Sequence, residues 1–343
     1  MKAVVIRKHG GTEVLEIEDR PVPEPGPGEV RVRVRAVALN HLDVWVRRGI
    51  PGHPFPLPIV PGCDVAGEVE AIGPGAGDAF RAGAPVVVAP GVSCGACEDC
   101  ASGQDQFCRR YGILGEHQDG GCAEAIVVPA RNLLPAPTGM PAEQAAAIPL
   151  VFITAWHMVV ERARVKPGET VLVHAAGSGV SSAAIQIARL HGARVITTVG
   201  SDAKVAKARA LGADDVVNYR TQDFAAEVRR LTGKRGADAI IDHVGPATWE
   251  GNVKSLARGG RLVVCGSTSG FEVTTDLRFV FFKSLSLMGS TMGSRAELHS
   301  VLRLVEAGRL KPVVDTVLPL DEVAEGHRRL EAREVFGKIV LRP

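Results

Sequence analysis

The stretch VLVHAAGSGVSSAAIQIARLHGARVITTV, residues 171–199, reads as strand, tight turn, helix and second strand. VLVHAA (171–176) is a short apolar run that breaks at Gly177-Ser178-Gly179. SSAAIQIARLHG then spaces its apolar residues as a helix does, and RVITTV (194–199) returns to a strand. The alternation continues through DVVNY (215–219), AIIDHV (239–244) and RLVVCG (261–266), separated by helical segments such as SDAKVAKARALG. SLSLMGS (284–290) offers a sixth strand. Strands and helices alternating at this pitch predict an α/β fold, a doubly wound parallel sheet with helices on both faces.

The turn after the first strand carries a ligand signal. Small residues there let the backbone approach a pyrophosphate, which rests on the N–H groups of the following helix. Gly177, Ser178, Gly179 and Val180 are the candidates. The glycine fingerprint is imperfect: Gly177-x-Gly179 has Ser182 where a third glycine belongs, and another register reads Ala176-x-Ser178-x-x-Ser181. Position after the first strand of a βαβ series still points to a dinucleotide. An NAD enzyme places a carboxylate at the end of the second strand to hold the ribose 2′-OH. Here that strand ends Val199-Gly200-Ser201, with no carboxylate before Asp202. Ser201, Lys204 and Tyr219 with Arg220 could meet a 2′-phosphate, so NADP(H) is preferred and NAD(H) is the second choice. Val244, beside His243 at the end of the fourth run, and Cys265-Gly266 at the end of the fifth fall at the same carboxyl edge of the sheet.

Around this block the texture differs. VRVRVRAVAL (30–39) alternates with period two, and GEVEAIG (67–73) and APVVVAP (84–90) are short strands between turns. The tail reads as a helix near 295–307, an extended PVVDTVLPL, a helix from Asp321 and a closing strand, GKIVLRP. One domain is therefore inserted into another: 151–294 binds the dinucleotide, while 1–150 and 295–343 form the second domain. Basic and acidic residues nearly cancel, at 40 against 38, which implies neither nucleic acid nor a membrane surface. MKAVVIRKHGG lacks the apolar core of a signal peptide, so the expected location is the cytoplasm.

Four of the seven cysteines fall in SCGACEDCASGQDQFC: Cys94, Cys97, Cys100 and Cys108, spaced C-x2-C-x2-C-x7-C. Four thiolates can close a tetrahedron around one zinc at about 2.3 Å, leaving no position for water or substrate. Such an ion, in a lobe spanning 91–112, is structural. Two disulfides or an iron–sulfur cluster are the alternatives. A reducing cytosol disfavours the first, and the second usually has a closer third gap and a proline after its last cysteine.

Together these motifs, with KPGETVLVHAA (166–176) and LGADDVVNY (211–219), resemble the medium-chain dehydrogenase/reductase superfamily of zinc-type alcohol dehydrogenases and quinone oxidoreductases. The resemblance covers essentially the whole chain. It implies a Rossmann domain inserted into a β-rich, GroES-like catalytic domain, hydride transfer in the cleft between them, and homodimers or homotetramers in which SLSLMGS can pair across subunits. It also places His41 against the cofactor pyrophosphate and Thr154 near the nicotinamide.

The catalytic-zinc ligands of the alcohol dehydrogenases are replaced. Asn40 stands where they have Cys, Cys63-Asp64 where they have His-Glu, and Leu150 where they have a second Cys. Leu42 replaces the hydroxyl residue that relays the alcohol proton. Asn40-x2-Asp43-x3-Arg47-x-Gly49 and Pro61-Gly62-Cys63-Asp64-Val65-Ala66-Gly67 are instead similar to stretches of the zinc-free quinone reductases. Some of those carry a Tyr where this chain has Trp45. The expected reaction is thus hydride transfer from NAD(P)H to a quinone or α,β-unsaturated carbonyl, without catalytic zinc. Asn40 could donate to the substrate carbonyl, and Cys63 with Asp64 could form a polar floor or shuttle a proton. The alternatives are a zinc-dependent alcohol dehydrogenase with an atypical metal site near Cys63 and Asp64, and a non-catalytic NADPH-binding protein.

Overall fold

Val30, Val32 and Val34 point inward from the strand Glu29–Ala38, while Arg31, Arg33 and Arg35 point outward. Cross-strand carboxylates on the antiparallel neighbour Asp64–Ile72 meet them: Arg31 and Arg33 donate to Glu70 at 2.9 and 2.7 Å, and Arg35 donates to Glu68 at 2.8 Å. Such exposed pairs are worth about 0–1 kcal/mol each and serve chiefly to fix register. The computed structural model describes residues 1–343, which divide into two compact units, Met1–Leu150 with Ser294–Pro343 and Val151–Gly293.

The first unit is built on a seven-stranded sheet. Its path runs Val314–Pro319, Lys338–Arg342, Glu29–Ala38, Asp64–Ile72, Pro85–Val88, Leu133–Pro135, and Ala125–Pro129 also pairs with Glu29–Ala38. The closing strand Lys338–Arg342 joins Glu29–Ala38 only at Val37 and Ala38. That corner lies just before Asn40, so the last strand of the chain is brought against the first helix, His41–Arg48.

The second unit holds six parallel strands in the spatial order Asp215–Asn218, Arg194–Val199, Thr170–Val173, Ala237–Asp242, Leu256–Val264, Ser286–Gly289. This is order 3-2-1-4-5-6, the two-halved winding of a dinucleotide-binding sheet. Leu172, Ile196, Ile240 and Leu262 are buried along the sheet, as strands covered on both faces require. The α/β, doubly wound expectation therefore holds. Several strands end earlier than their apolar runs, the first and fourth among them. The first stops at Val173, and Ala175 takes φ +54°, turning the chain toward the helix Gly179–Leu190. The fourth stops at Asp242, so His243 and Val244 lie in the loop beyond it. SLSLMGS does supply the sixth strand. No helix is long and apolar enough to cross a membrane.

Gly67 shows how closely the central strands approach. A Cβ placed there would run into the backbone carbonyl of Arg33 and crowd Val32. Gly67→Ala is expected to cost about 1–3 kcal/mol by overpacking, read as a lower unfolding midpoint; unchanged stability would show that the strands separate freely.

Candidate functional site

Asn40 ends the strand Glu29–Ala38 and opens the helix His41–Arg48. Its backbone N–H donates to Asp43 Oδ2 at 2.7 Å, and Asp43 Oδ1 accepts the Gly62 N–H at 2.9 Å. Asp43 thus clamps the helix start to the segment leading into Cys63 and Asp64. Burial pushes its carboxyl up to about 6, against the backbone donors of Asn40 and Gly62 and the charge of Lys338.

Behind that clamp lies a fully buried polar network. Asn40 Nδ2 donates to Asp64 Oδ2 at 2.9 Å, with longer contacts to the Ala38 carbonyl (3.3 Å) and Cys63 Sγ (3.4 Å). Lys338 Nζ, from the closing strand, donates to Asn40 Oδ1 at 2.5 Å and to Asp64 Oδ2 at 2.9 Å. Asp64 Oδ1 accepts the Leu150 N–H at 2.7 Å. The Asp64 side chain is 0% exposed and that of Lys338 4%, so the pair has lost its water. Cys63 is also fully buried; desolvation, then the charges of Asp64 and Asp43, drive its thiol well above the ordinary range.

Both protons of the Asn40 amide are directed to acceptors inside the network, the Ala38 carbonyl and Asp64 Oδ2. Cys63 is packed into the floor of this network and fully buried. Lys338 was missed in the sequence, where GKIVLRP reads as an apolar closing strand.

The network also bears on the catalytic metal that a resemblance to zinc-type alcohol dehydrogenases implies at this place. Its donor set is an amide, a protonated thiol and a leucine, and an ammonium already shares the one carboxylate oxygen. Zinc requires thiolate, imidazole or carboxylate ligands free of such a cation. The residues present do not fit it.

In the second unit, Ser178 caps the helix Gly179–Leu190, its Oγ accepting the Ser181 N–H at 3.0 Å. Ser181 falls at the third small position of the Ala176-x-Ser178-x-x-Ser181 register. Its hydroxyl folds back onto the His174 carbonyl at 2.5 Å, where a glycine would leave space. His243 Nε2 lies 2.9 Å from Ser178 Oγ and 3.0 Å from Ser181 Oγ, tying the loop after the fourth strand to this helix start. Gly177, Ser178, Gly179, Val180, Val244, Cys265 and Gly266 gather at the carboxyl edge of the sheet. Val244 N–H is fixed by Asp242 Oδ1 at 2.6 Å, and burial raises the Cys265 thiol to about 12. Tyr219 packs on Gly200, so closely that a Cβ there would meet its Oη at 2.5 Å. Ser201 precedes the short turn Asp202–Lys204. Thr154, on the helix Pro149–Trp156, is buried with no hydrogen-bond partner for its Oγ1. His41 packs edge-on against Trp45, with ring centroids 5.2 Å apart. His157, which follows the helix Pro149–Trp156, is buried.

The four lobe cysteines surround the short helix Glu98–Ala101. Their sulfurs all lie within 4.8 Å of one another, with Cys94–Cys100 at 3.8 Å and Cys97–Cys100 at 3.5 Å. A tetrahedron with about 2.3 Å metal–sulfur bonds has edges near 3.8 Å. Backbone N–H groups of Ala96 and Cys97 point at Cys94 Sγ, and that of Arg110 at Cys108 Sγ, favouring thiolates. The Ala96 and Cys97 N–H groups hold the Cys94 thiol below its usual range. All seven cysteines are free.

Comparison with known proteins places this arrangement. Residues 26–138 match the alcohol dehydrogenase GroES-like domain, and residues 179–307 the zinc-binding dehydrogenase domain. The chain is 31% identical to quinone oxidoreductase of Homo sapiens over 99% of its own length and 97% of that protein. It is 33% identical to the NAD-dependent alcohol dehydrogenase of Sulfolobus acidocaldarius, over 100% and 99%. A crystal structure of an NAD-dependent alcohol dehydrogenase is 57% identical, with TM-score 0.96 and full coverage of both chains.

The chain belongs to the medium-chain dehydrogenase/reductase superfamily. It is an NAD(P)-dependent oxidoreductase of that superfamily, with the GroES-like and Rossmann folds the motifs imply.

Lys338→Met should lower stability by about 3–5 kcal/mol, because it leaves Asp64 buried without its cation. The double variant Lys338→Met with Asp64→Leu should recover much of that loss. Additive losses in the double variant, measured by denaturant unfolding, would show that the pair is not coupled.

Proposed function

We propose that this protein is an NADPH-preferring reductase that delivers hydride to a quinone or α,β-unsaturated carbonyl without a catalytic zinc. The observation that carries the reading is the Lys338 ammonium, hydrogen-bonded to Asn40 and Asp64 where a catalytic ion would need its ligands.

The residues of the second unit fit a dinucleotide. The N–H groups opening the helix Gly179–Leu190 suit a pyrophosphate, a 12-residue helix with only a serine cap at its start. We assign Gly177, Ser178, Gly179 and Val180 to that contact, and Val244, Cys265 and Gly266 to the sheet edge along which the cofactor lies. Thr154 supplies an unpaired buried hydroxyl for the nicotinamide end. Ser201, Lys204 and Tyr219 are assigned to the adenosine end. Asp202 Oδ1 is taken by Asn218 Nδ2 at 2.8 Å, which disfavours that carboxylate as the ribose partner and favours NADP(H). His41 is assigned to the pyrophosphate from the first unit. The bound nicotinamide supplies the hydride. Asn40, Cys63 and Asp64 provide a rigid, dry and overall weakly charged floor on the acceptor side, working by orientation and exclusion of water.

The lobe is assigned one structural zinc on Cys94, Cys97, Cys100 and Cys108, whose four sulfurs leave no open position. It braces the first unit through Asp105, whose Oδ1 accepts the Arg295 N–H at 2.9 Å, and through Arg131, which donates to the Ser93 carbonyl at 2.6 Å. A cytoplasmic homodimer or homotetramer completes the reading, with the edge strand Ser286–Gly289 available for pairing between subunits.

Two measurements check it. NADPH oxidation should proceed with quinones and enones and persist after a mild chelator that leaves the lobe loaded. Alcohol-dependent NADP+ reduction abolished by that chelator would instead establish a metal-dependent dehydrogenase, and tight NADPH binding with no turnover across the acceptors a non-catalytic protein. Separately, Cys97→Ser should lose its zinc and unfold at a lower temperature, because metal binding is coupled to folding; retained zinc and melting temperature would refute the structural role.

A further inference from the structure

We propose a second divalent-metal site in the first unit, formed by His53, Glu116 and His117, that takes a borderline ion such as Zn2+, Co2+ or Ni2+. One potential ligand atom from each residue lies within 4.8 Å of the others. His53 Nε2 is 3.3 Å from Glu116 Oε1, and His117 Nδ1 is 3.8 Å from Glu116 Oε2. Two imidazoles and one carboxylate select these ions over Mg2+ or Ca2+. Three protein ligands leave at least one coordination position for water or a ligand oxygen, unlike the closed cysteine lobe.

The two loops hold these groups in place. His53 follows the helix His41–Arg48 in a turn closed by its own N–H on the Ile50 carbonyl at 3.0 Å, and its ring meets Phe55 edge-on at 4.7 Å. Glu116 and His117 form the tip of a tight turn in which both backbone N–H groups donate to the Ile113 carbonyl. The Ile113 N–H points at His117 Nδ1 at 3.2 Å, so this nitrogen carries a lone pair and its proton sits on Nε2. A metal would take over that lone pair.

Charge supplies an argument independent of distance. The Glu116 side chain is only 12% exposed, and its ion-pair contacts are to the two imidazoles, with no lysine or arginine among them. Burial pushes its carboxyl up, and the nearby histidines pull it back down. A shielded carboxylate flanked by two imidazoles is stabilised by a dication held among the three groups. The turn also packs directly on the catalytic floor: Cβ atoms at Gly115 and Gly120 would collide with the backbone of Gly62, and Glu116 contributes to the electrostatics of Cys63.

The test uses the intact protein with its lobe loaded, titrated with Co2+ and followed by visible absorption and by metal per chain. One further equivalent should bind, with ligand-field bands and no thiolate charge-transfer band. His53→Gln, at an exposed ring, and Glu116→Gln should each weaken it roughly tenfold or more, with lobe metal and melting temperature unchanged. Added His117→Gln should abolish it. No further equivalent at millimolar Co2+, a thiolate band, or binding indifferent to His53→Gln and Glu116→Gln would overturn the site. Because the readout is metal binding, failure here leaves the reductase reading intact, and failure of that reading leaves this result standing.

Discussion

The first unit depends on the buried ion pair of Lys338 and Asp64. The two residues are 274 positions apart, and only the pairing of the last strand with Val37 and Ala38 brings the ammonium to the end of the second central strand. A buried pair of this kind is not a strong source of stability by itself, since desolvation offsets most of the attraction. What it imposes is geometry. Asp64 spends one oxygen on Asn40 and Lys338 and the other on Leu150, so the strand start, the first helix, the closing strand and residue 150 are fixed against one another. Loosening the closing strand would leave Asp64 buried without its cation, and loosening the helix or residue 150 would cost it a hydrogen bond.

How much of this was legible follows from sequence distance. The Rossmann sheet was readable because each strand–helix unit is local, and its hydrophobic period changes within a few residues. The cysteine lobe was readable for the same reason: its four ligands span fifteen residues, and thiolate spacing has few other meanings. Lys338 was not. A lysine opening Lys338-Ile339-Val340-Leu341 looks like the solvated end of a strand, and nothing nearby marks it as the partner of a residue near the other end of the chain. A lysine at a strand start beside three apolar residues is a weak signal that a buried carboxylate waits elsewhere. His53 and Glu116 are likewise joined only by the fold. The role of Ser181 was hidden differently, because two registers of the glycine fingerprint fit the letters and only the helix start at Gly179 separates them.

Overall similarity does not choose between the two chemistries of this superfamily. The chain is about as similar to a quinone oxidoreductase, at 31%, as to an alcohol dehydrogenase, at 33%. Glycines, strand alternation and the dinucleotide turn obey the same constraints in a shared scaffold whatever the substrate. On the proposed reading the discrimination lies in one floor, where Asn40, Cys63, Asp64 and Leu150 stand at the positions the resemblance aligns with zinc ligands and the Lys338 ammonium is bonded to Asn40 and Asp64.

That floor sets a requirement on the acceptor. Reducing an isolated ketone or aldehyde places a full negative charge on one oxygen, and a single preorganised donor aimed at it is worth about 2.7–4 kcal/mol. A metal ion supplies several kcal/mol more through direct polarisation. Here the Asn40 protons are committed to Asp64 and Ala38, and the Cys63 thiol is buried and uncharged. A localised alkoxide would find little to stabilise it. A quinone or enone needs less, because hydride arrives at carbon while the electrons spread through the conjugated system to a distant oxygen. The proposed preference for quinones and enones rests on this network, which offers a localised alkoxide little stabilisation.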